Sequence, residues 1–326
     1  MNVEPKDSIR IMPDKLRSLV TSLARKAGMS HERSEFLADL LVMNDLRGVS
    51  SHGSQQIATY ARIMRDGLIH PNPEVRTVNE APSTIVVDGD GGLGYFAVYQ
   101  AVQELIERCR NNGIAAAVTR NHGHIGAAGI YSRLLAEEGL IGYVTSGHQL
   151  DLKAEDSIVN AAGGSPMSFA VPSGNEVPMV LDFGATLDIF PDAPHLDQLF
   201  KLAPGLIFRN MGLGFMCQAL GGFLAGIPVV RNDEGKDYVG ANQGALIIAL
   251  DAGRFIQPDL FKNEMDTYMK ITSEMQPMPG YDRATLPGVL ESERERNWAV
   301  SGIPISREHQ SILEAAGKEF GVDLPF

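Results

Sequence analysis

The spacing of apolar residues changes near residue 81 of this 326-residue chain, and the change limits the folds that the chain can adopt. Up to that point apolar residues recur every three or four positions, which predicts helices over 12–27, from Ser30 onwards and over 51–66. Beyond it, short β-branched runs alternate with helical segments, and from residue 255 the pattern is mostly helical again. Predicted strands cover 83–88, 114–118, 141–145, 167–171, 179–182 and 244–250, and predicted helices cover 97–112, 128–138 and 212–225.

These segments predict a protein of the α/β (α+β) class with two domains. We expect a helical domain made of residues 1–76 together with a helical tail, 275–326, and an αβ domain made of residues 77–274. A turn rich in Pro, Ser, Gly and Asn at 172–175 joins two neighbouring strands, which indicates an antiparallel hairpin rather than another βαβ unit. The sheet is therefore expected to be mixed.

Charge and cysteine content narrow the function classes. The net charge of −12 repels phosphate backbones and anionic lipids, which argues against nucleic-acid binding and against a membrane-surface role. Cys109 and Cys217 lie in apolar helical patterns, so two buried thiols in a reducing compartment are expected. The first residues have no apolar signal-peptide core, and no apolar run is long enough to span a bilayer. We therefore expect a soluble, cytoplasmic globular protein.

Three glycines, Gly89, Gly91 and Gly94, spell G-x-G-x-x-G between a predicted strand and a predicted helix. That context is the one a dinucleotide-binding turn requires. Aspartates flank the glycines and would repel phosphates, however, and Arg120 stands after the next strand in place of an acidic residue that could bind a ribose. We interpret the glycines as a turn that is needed for steric reasons.

The segment RGVSSHGSQQIATY carries the first group of candidate chemical residues. If 51–66 is one helix, His52, Gln56 and Tyr60 are four residues apart and share one face, with Ser51 at the helix start. A histidine in such a stripe can exchange protons near neutral pH. The alternative is a polar surface stripe that begins with a capping serine.

Histidines at two predicted strand ends form the second group. His122 and His124 lie in a glycine-rich turn after one strand, and His148 ends the next strand. Strand ends of this kind are where α/β active sites collect. The three histidines could bind a metal ion, but no H-x-x-x-H or C-x-x-C pattern accompanies them. A histidine that acts as a general acid and base explains the pattern with fewer assumptions.

Five segments follow one another in the order of the conserved boxes of one enzyme family. They are RGVSSHG, VVDGDGGLG, GHIGAAGIYS, the stretch GGSPMSFAVPSG with VPMVLDFGAT, and ANQGALIIALDAGRF. Together they resemble the type-2 malate/L-lactate dehydrogenase family, which includes ureidoglycolate and sulfolactate dehydrogenases. The resemblance extends over nearly the whole chain and implies a non-Rossmann αβ domain beside a helical domain, a homodimer, and NAD or NADP as cofactor.

The resemblance also implies roles for single residues. His124 matches the family's acid/base histidine, with Ser51 and His52 as further catalytic candidates. The expected substrate-binding residues are Arg47, Gln56 and Tyr60. The expected cofactor-binding residues are His148, Asp182, Phe183, Gly184, Arg209, Asn242 and Gln243. No metal-binding residue is expected.

Departures from the family pattern leave two functions open. Gln56 stands where the family often has a carboxylate-binding Arg, and the family's lysine-containing glycine segment is replaced by 208–214, where Arg209 is the basic residue. The segment 182–209 is also shorter than in relatives. The sequence predicts an NAD(P)-dependent oxidoreductase that interconverts a small 2-hydroxy acid and its 2-oxo acid. The alternative is a non-redox descendant that catalyses proton transfer as an isomerase, lyase or hydrolase.

Overall fold

The computed structural model describes residues 4–189, 195–231, 233–235 and 237–325. Helices within these residues are α1 Pro13–Lys26, α2 His31–Leu46, α3 Gln56–Arg65, α4 Gly94–Asn112, α5 Gly129–Glu137, α6 Leu196–Leu202, α7 Pro204–Cys217, α8 Pro258–Ser273, α9 Val289–Ser301 and α10 Arg307–Phe320. Strands are β1 Ser8–Ile11, β2 Arg76–Ala81, β3 Thr84–Asp88, β4 Ile114–His122, β5 Ile141–His148, β6 Pro166–Val171, β7 Met179–Gly184, β8 Gln243–Leu250 and β9 Ile303–Ser306. The described residues form two compact units, 4–73 with 269–325 and 74–268. The sequence placed the corresponding boundaries at 76/77 and 274/275.

The 4–73/269–325 unit is built mainly from helices. The apolar residues that predicted α1, Leu16 and Leu23 among them, are buried. Ser30 caps α2 by accepting a hydrogen bond from the backbone N–H of Arg33, as its position before the helix predicted. This unit also contains a small antiparallel sheet of β1 and β9, which the sequence did not predict. The two strands lie about 300 residues apart in the chain, so local spacing gives no signal for their pairing.

The predicted helix over 51–66 is wrong at its start. Ser50–His52 form a single 3₁₀ turn, and α3 begins only at Gln56. Between them Gly53 has an extended backbone, because a carboxylate oxygen of Asp45 occupies the space beside it. His52 therefore does not share a helix face with Gln56 and Tyr60.

The 74–268 unit contains a seven-stranded mixed sheet in the order β2-β3-β4-β8-β5-β6-β7. Only β3 and β4 pair in parallel, through the β3–α4–β4 crossover, and the other neighbours pair antiparallel. The predicted hairpin of β6 and β7 is confirmed. The mixed order also confirms the predicted α+β class, since the doubly wound Rossmann fold requires a mostly parallel sheet.

Helix α4 shows how the sequence builds the core of this unit. Its buried residues Val98, Val102, Leu105 and Cys109 recur every three or four positions and pack beside β3, β4 and β8. The central strand β8 is apolar almost throughout, and consecutive residues of it are buried where α4 and the segment Gln218–Gly222 pack on it. Both cysteines are buried and free, so the expectation of two buried thiols is confirmed.

The predicted helix over 212–225 differs from the structure. Helix α7 begins earlier, at Pro204, and ends at Cys217, where a π-helical turn, Gln218–Gly222, takes over. Gly221 and Gly222 lie close to the backbone of β5: a Cβ on Gly221 would be 2.5 Å from the carbonyl carbon of Ser146, and one on Gly147 would be 2.5 Å from the nitrogen of Gly222. This close approach explains why the regular helix ends.

Among the described residues, every helix is too short or too polar to cross a membrane.

The core of the 74–268 unit makes its stability sensitive to Leu105, which has no exposed surface. We expect Leu105→Ala to lower the free energy of unfolding by about 2–5 kcal/mol, because it leaves a cavity that the packed core fills only in part. The control is Leu260→Ala on α8, where the side chain is exposed and the loss should stay within about 0.5 kcal/mol. Urea unfolding measures both, and equal losses would contradict this description of the core.

Candidate active site

One edge of the seven-stranded sheet collects most of the residues predicted for the 74–268 unit. β3, β4, β5 and β7 end at this edge, while β6 and β8 begin there. Gln243, the first residue of β8, lies opposite His122 at the end of β4 and also opposite His148 at the end of β5. The edge therefore brings side chains from three adjacent strands together.

His122 is a structural residue at this edge. It is fully buried, and both ring nitrogens are bonded: Nδ1 donates to the carbonyl of Gly123 at 2.7 Å, and Nε2 accepts from the hydroxyl of Thr119 at 2.8 Å. Burial lowers the pKa of His122 to about 4, so the ring is neutral at physiological pH. A metal site of His122, His124 and His148 would require these bonds to break, which removes the support for that alternative.

The glycines of the G-x-G-x-x-G turn pack against His122 and its neighbours. A Cβ at Gly89 would lie 2.7 Å from the Cβ of His122, and one at Gly94 would lie 2.7 Å from the carbonyl oxygen of Gly123. Gly91 has a positive φ of 74° and packs on the ring of Tyr238. Internal contacts therefore account for all three glycines, and the steric interpretation of this turn is supported.

The same turn fixes the backbone that carries His124. The N–H of Gly94 donates to the carbonyl of His124 at 3.0 Å, and the N–H of Gly123 donates to the carbonyl of Gly92 at 2.8 Å. On the other side, the buried Tyr131 hydroxyl donates to the carbonyl of Ile125 at 2.6 Å. His124 itself is half-buried at the edge of the sheet. Backbone bonds on both sides thus hold this histidine in one position.

His148 is held through its backbone by a residue that the sequence did not reveal. The buried Gln218 accepts from the N–H of His148 at 3.2 Å and donates to its carbonyl at 2.7 Å. Burial lowers the pKa of the His148 ring. Near this ring, Gly163 has a positive φ and Gly164 has open space where a side chain would stand. The backbone at Gly164 is therefore open to a ligand, whereas Gly163 is buried against the His148 ring.

The predicted residues of β7 lie at the other end of this edge. Gly184 is paired with Pro166, and Phe183 packs in a cluster with Met167 and Cys217. Asp182 places its carboxylate against Gly129, the first residue of α5, where a Cβ would lie 2.5 Å from Oδ2. A carboxylate at a helix N-terminus is favoured by the helix dipole.

The remaining predicted residues of this unit lie close by in the fold. Asn242 directly precedes β8, and its carbonyl accepts from the N–H of Gln149 at 3.0 Å. Arg209 is exposed on α7, which packs on the short helix Ile158–Ala162 next to the 163–164 glycines. Within the segment 182–209 that the sequence marks as short, residues 190–194 lie outside the described residues.

The predicted residues of the 4–73/269–325 unit surround the 3₁₀ turn. The Ser51 hydroxyl and Nδ1 of His52 are 3.0 Å apart, and burial lowers the pKa of His52. The Gln56 amide donates to the carbonyl of Ser51 at 2.7 Å, which fixes that side chain against the turn. Tyr60 is buried in α3, with 2% of its surface exposed.

Arginines that could bind an anionic substrate include Arg47, Arg62, Arg120 and Arg209, and the first three already bind carboxylates. Arg47 donates to both oxygens of Glu295, Arg62 donates to Glu319, and Arg120 pairs with Asp88. Arg47 is buried in this pair, whereas Glu295 is partly exposed to solvent.

Two buried titratable residues beneath the 3₁₀ turn were also missed by sequence reasoning. Asp45 accepts from the N–H of Ser54 at 2.8 Å, and His309 of α10 lies 2.9 Å from the Ser54 hydroxyl. In the sequence, Asp45 and His309 stand out only as ionisable residues within the apolar patterns of α2 and α10. That signal is weak, since most such residues point to solvent.

Comparisons with known proteins match this arrangement. The family model described as malate/L-lactate dehydrogenase matches residues 11–187 and 201–314. The malate dehydrogenase of Pyrococcus horikoshii is 27% identical over 97% of this chain and 96% of its own length. The NAD(+) ureidoglycolate dehydrogenase of Escherichia coli O157:H7 is 25% identical over 91% and 93%. The solved structure of the Pyrococcus horikoshii enzyme superposes with a TM-score of 0.84, covering 99% of both chains at 26% identity.

The chain belongs to the malate/L-lactate dehydrogenase family. This membership confirms the predicted family and the predicted enzyme class, a dehydrogenase. The match to the family model is interrupted at 188–200, within the segment that the sequence marks as short. The sheet edge described above is outside that interruption.

The buried carboxyl of Asp45 should give this family member a distinct pH dependence of stability. Burial raises its pKa from 3.8 to about 7, and hydrogen bonds from Ser54 offset this only in part. The folded protein then holds a proton that the unfolded chain releases, so this stabilisation is present at low pH and is lost as pH rises towards 7. The stabilisation that is lost between about pH 4 and pH 7 amounts to about 4 kcal/mol.

Asp45→Asn removes this titration and keeps the acceptor for Ser54. We therefore expect its free energy of unfolding, relative to the wild type, to rise with pH between about pH 4 and pH 7. Urea unfolding at a series of pH values measures the difference. A difference that stays constant across this range would contradict the raised pKa.

Proposed function

We propose that this protein is an NAD(P)-dependent dehydrogenase that interconverts a small 2-hydroxy acid and its 2-oxo acid. The observation that supports this most is the position of His124, which backbone bonds hold at the edge of the sheet. His148 lies at the same edge, and the open backbone of Gly164 lies near the His148 ring. Relatives named for malate and for ureidoglycolate act on 2-hydroxy acids, which supports the substrate class.

The residues at this edge fit a nicotinamide dinucleotide. The open backbone at Gly164 allows an extended ligand to approach closely, and the neutral His148 ring next to it offers a hydrogen-bonding surface without charge. The proposed cofactor-binding residues are His148, Asp182, Phe183, Gly184, Arg209, Asn242 and Gln243. Arg209 is the cation among them that suits a phosphate group.

His124 is proposed as the general acid and base. A bound nicotinamide would supply the acceptor for the C2 hydride of the hydroxy acid, and the donor of that hydride in the reverse direction. As the C2 hydride leaves, a ring nitrogen of His124 takes the proton of the C2 hydroxyl, and in the reverse direction it gives that proton back to the carbonyl oxygen. The backbone bonds around His124 fix the point from which its ring reaches the substrate.

Ser51, His52, Gln56, Tyr60 and Arg47 are proposed as substrate-side residues. The neutral His52 ring and the Ser51 hydroxyl can donate or accept hydrogen bonds to a carboxylate or hydroxyl group. Gln56 offers amide groups, where an arginine would offer a charge. Because Arg47 already binds Glu295, its proposed role is to position the turn that follows it.

Substitution of His124 tests the proposed function. With a panel of 2-oxo acids and with NADH or NADPH, we expect turnover by the wild type and a kcat about 10²–10⁴-fold lower for His124→Asn. The control is His31→Asn, because His31 is exposed at the start of α2 and should leave kcat unchanged.

Calorimetric titration with each nucleotide accompanies this assay. Absence of binding at millimolar nucleotide would refute the proposed function, as would a kcat that His124→Asn leaves unchanged. Absence of nucleotide binding would favour the non-redox alternative.

We further propose that the functional form is a homodimer and that helices α6 and α7 contribute to its interface. Six large apolar side chains are exposed on these two helices: Phe200, Leu202, Leu206, Phe208, Leu213 and Met216. Apolar clusters of this kind are typical of protein interfaces.

Sedimentation velocity tests the interface. We expect a dimer for the wild type and for Val300→Glu, whose site on α9 is also exposed, but monomers for Met216→Glu, because a charge would be buried at the interface. A dimer that persists in Met216→Glu would exclude this face.

We also propose a cytoplasmic location, in which the buried, unpaired Cys109 and Cys217 stay reduced.

A further inference from the structure

Three polar side chains are buried beneath the 3₁₀ turn of the 4–73/269–325 unit. Asp45, Ser54 and His309 each have at most 2% of their surface exposed. Ser54 joins the other two: its N–H donates to Oδ2 of Asp45 at 2.8 Å, and its hydroxyl lies 2.9 Å from Nε2 of His309. The three residues therefore link α2, the turn and α10 by hydrogen bonds.

The last turn of α2 contacts the 3₁₀ turn on both sides of Gly53. On one side Asn44 donates from Nδ2 to the carbonyl of His52 at 2.8 Å. On the other side Asp45 holds the N–H of Ser54, and its Oδ1 fills the space where a side chain on Gly53 would stand. The last turn of α2 thus holds the backbone directly after His52, in addition to the bond that Gln56 of α3 makes to Ser51.

This arrangement has an energetic cost. Within the described residues, Oδ1 of Asp45 and Nδ1 of His309 are buried without a hydrogen-bond partner. Buried polar atoms of this kind destabilise a fold, and apolar side chains of similar size would avoid the loss. Buried polar side chains of this kind give no advantage to a core that only stabilises the fold. Their hydrogen bonds can, however, fix the position of a turn.

The trio does not have the geometry of a nucleophilic triad. In such a triad the carboxylate binds the histidine and the histidine activates an accessible serine. Here Asp45 binds the backbone of Ser54 instead, and the Ser54 hydroxyl is completely buried. No substrate can reach that hydroxyl in this conformation.

We propose that Asp45, Ser54 and His309 are positioning residues, which hold the Ser51–His52 turn in the geometry that the hydroxy-acid substrate requires. They act through the backbone of Gly53 and do not touch the substrate. This inference rests on the proposed function, because it assigns the buried trio to the substrate-side residues Ser51 and His52. Small displacements of such residues reduce catalysis even when the fold is intact.

Ser54→Ala tests the proposal, because it removes the hydroxyl that joins His309 and keeps the N–H that Asp45 binds. We expect KM for the hydroxy acid to rise about tenfold and KM for the nucleotide to stay unchanged. The matched control is Ser34→Ala, which removes another fully buried hydroxyl from the same unit. Ser34 lies 11 residues before Asp45 on α2, so its loss should leave both KM values unchanged.

A double-mutant cycle with His52→Ala separates positioning from general destabilisation. If Ser54 acts through the turn, Ser54→Ala should change kcat/KM less than twofold once His52 is absent. Additive losses in the cycle would overturn the proposal, as would a KM change of equal size in Ser34→Ala. If Ser54→Ala does not fold, His309→Leu, which removes the partner of the Ser54 hydroxyl, is used in the same cycle with the same expected result.

The outcome also distinguishes this proposal from the function on which it rests. Wild-type turnover with additive losses overturns the positioning role alone. If the wild type does not turn over hydroxy acids, or if His52→Ala leaves kcat/KM unchanged, the substrate-side assignment is wrong and the positioning role is overturned with it.

Discussion

The pairing of β8 between β4 and β5 is the constraint on which the candidate active site depends. Because β8 runs antiparallel to both neighbours, the ends of β4 and β5 meet at the start of β8, and Gln243 lies opposite both His122 and His148. Two histidine-bearing strand ends, separated by more than twenty residues of chain, reach one edge in this way. His124 follows β4 by two residues and is fixed there by backbone bonds to the neighbouring glycine turn.

The histidines near this edge have different roles because their surroundings differ. His122 is buried with both nitrogens bonded, so it supports the turn and cannot exchange protons with a substrate. His124 is half-buried and has a fixed backbone, which suits proton exchange. In the other unit, buried polar residues hold the turn of Ser51 and His52 in a comparable way. Both candidate segments thus combine a constrained backbone with side chains that remain partly accessible.

The sequence predicted the parts of the fold and of the candidate site that depend on residues close together in the chain. The apolar spacing predicted α1 and α4, and Gly89, Gly91 and Gly94 have the internal contacts that the steric interpretation requires. The errors arise from contacts distant in sequence. The break at Gly53 depends on Asp45, the π-helical turn depends on Gly147, and β1 pairs with a strand about 300 residues away. Likewise Gln218 and His309 can be recognised only when their partners are in place.

The central claim, hydride transfer at this sheet edge, is tested most directly by following a deuterium label placed at C2 of a hydroxy acid that the enzyme accepts. A dehydrogenase moves that label as hydride, whereas a proton-transfer enzyme releases it to water. Mass spectrometry of the products after one round of reaction distinguishes the two. We expect the label to be recovered in the reduced nucleotide. Label found in the solvent, without reduction of the nucleotide, would contradict it.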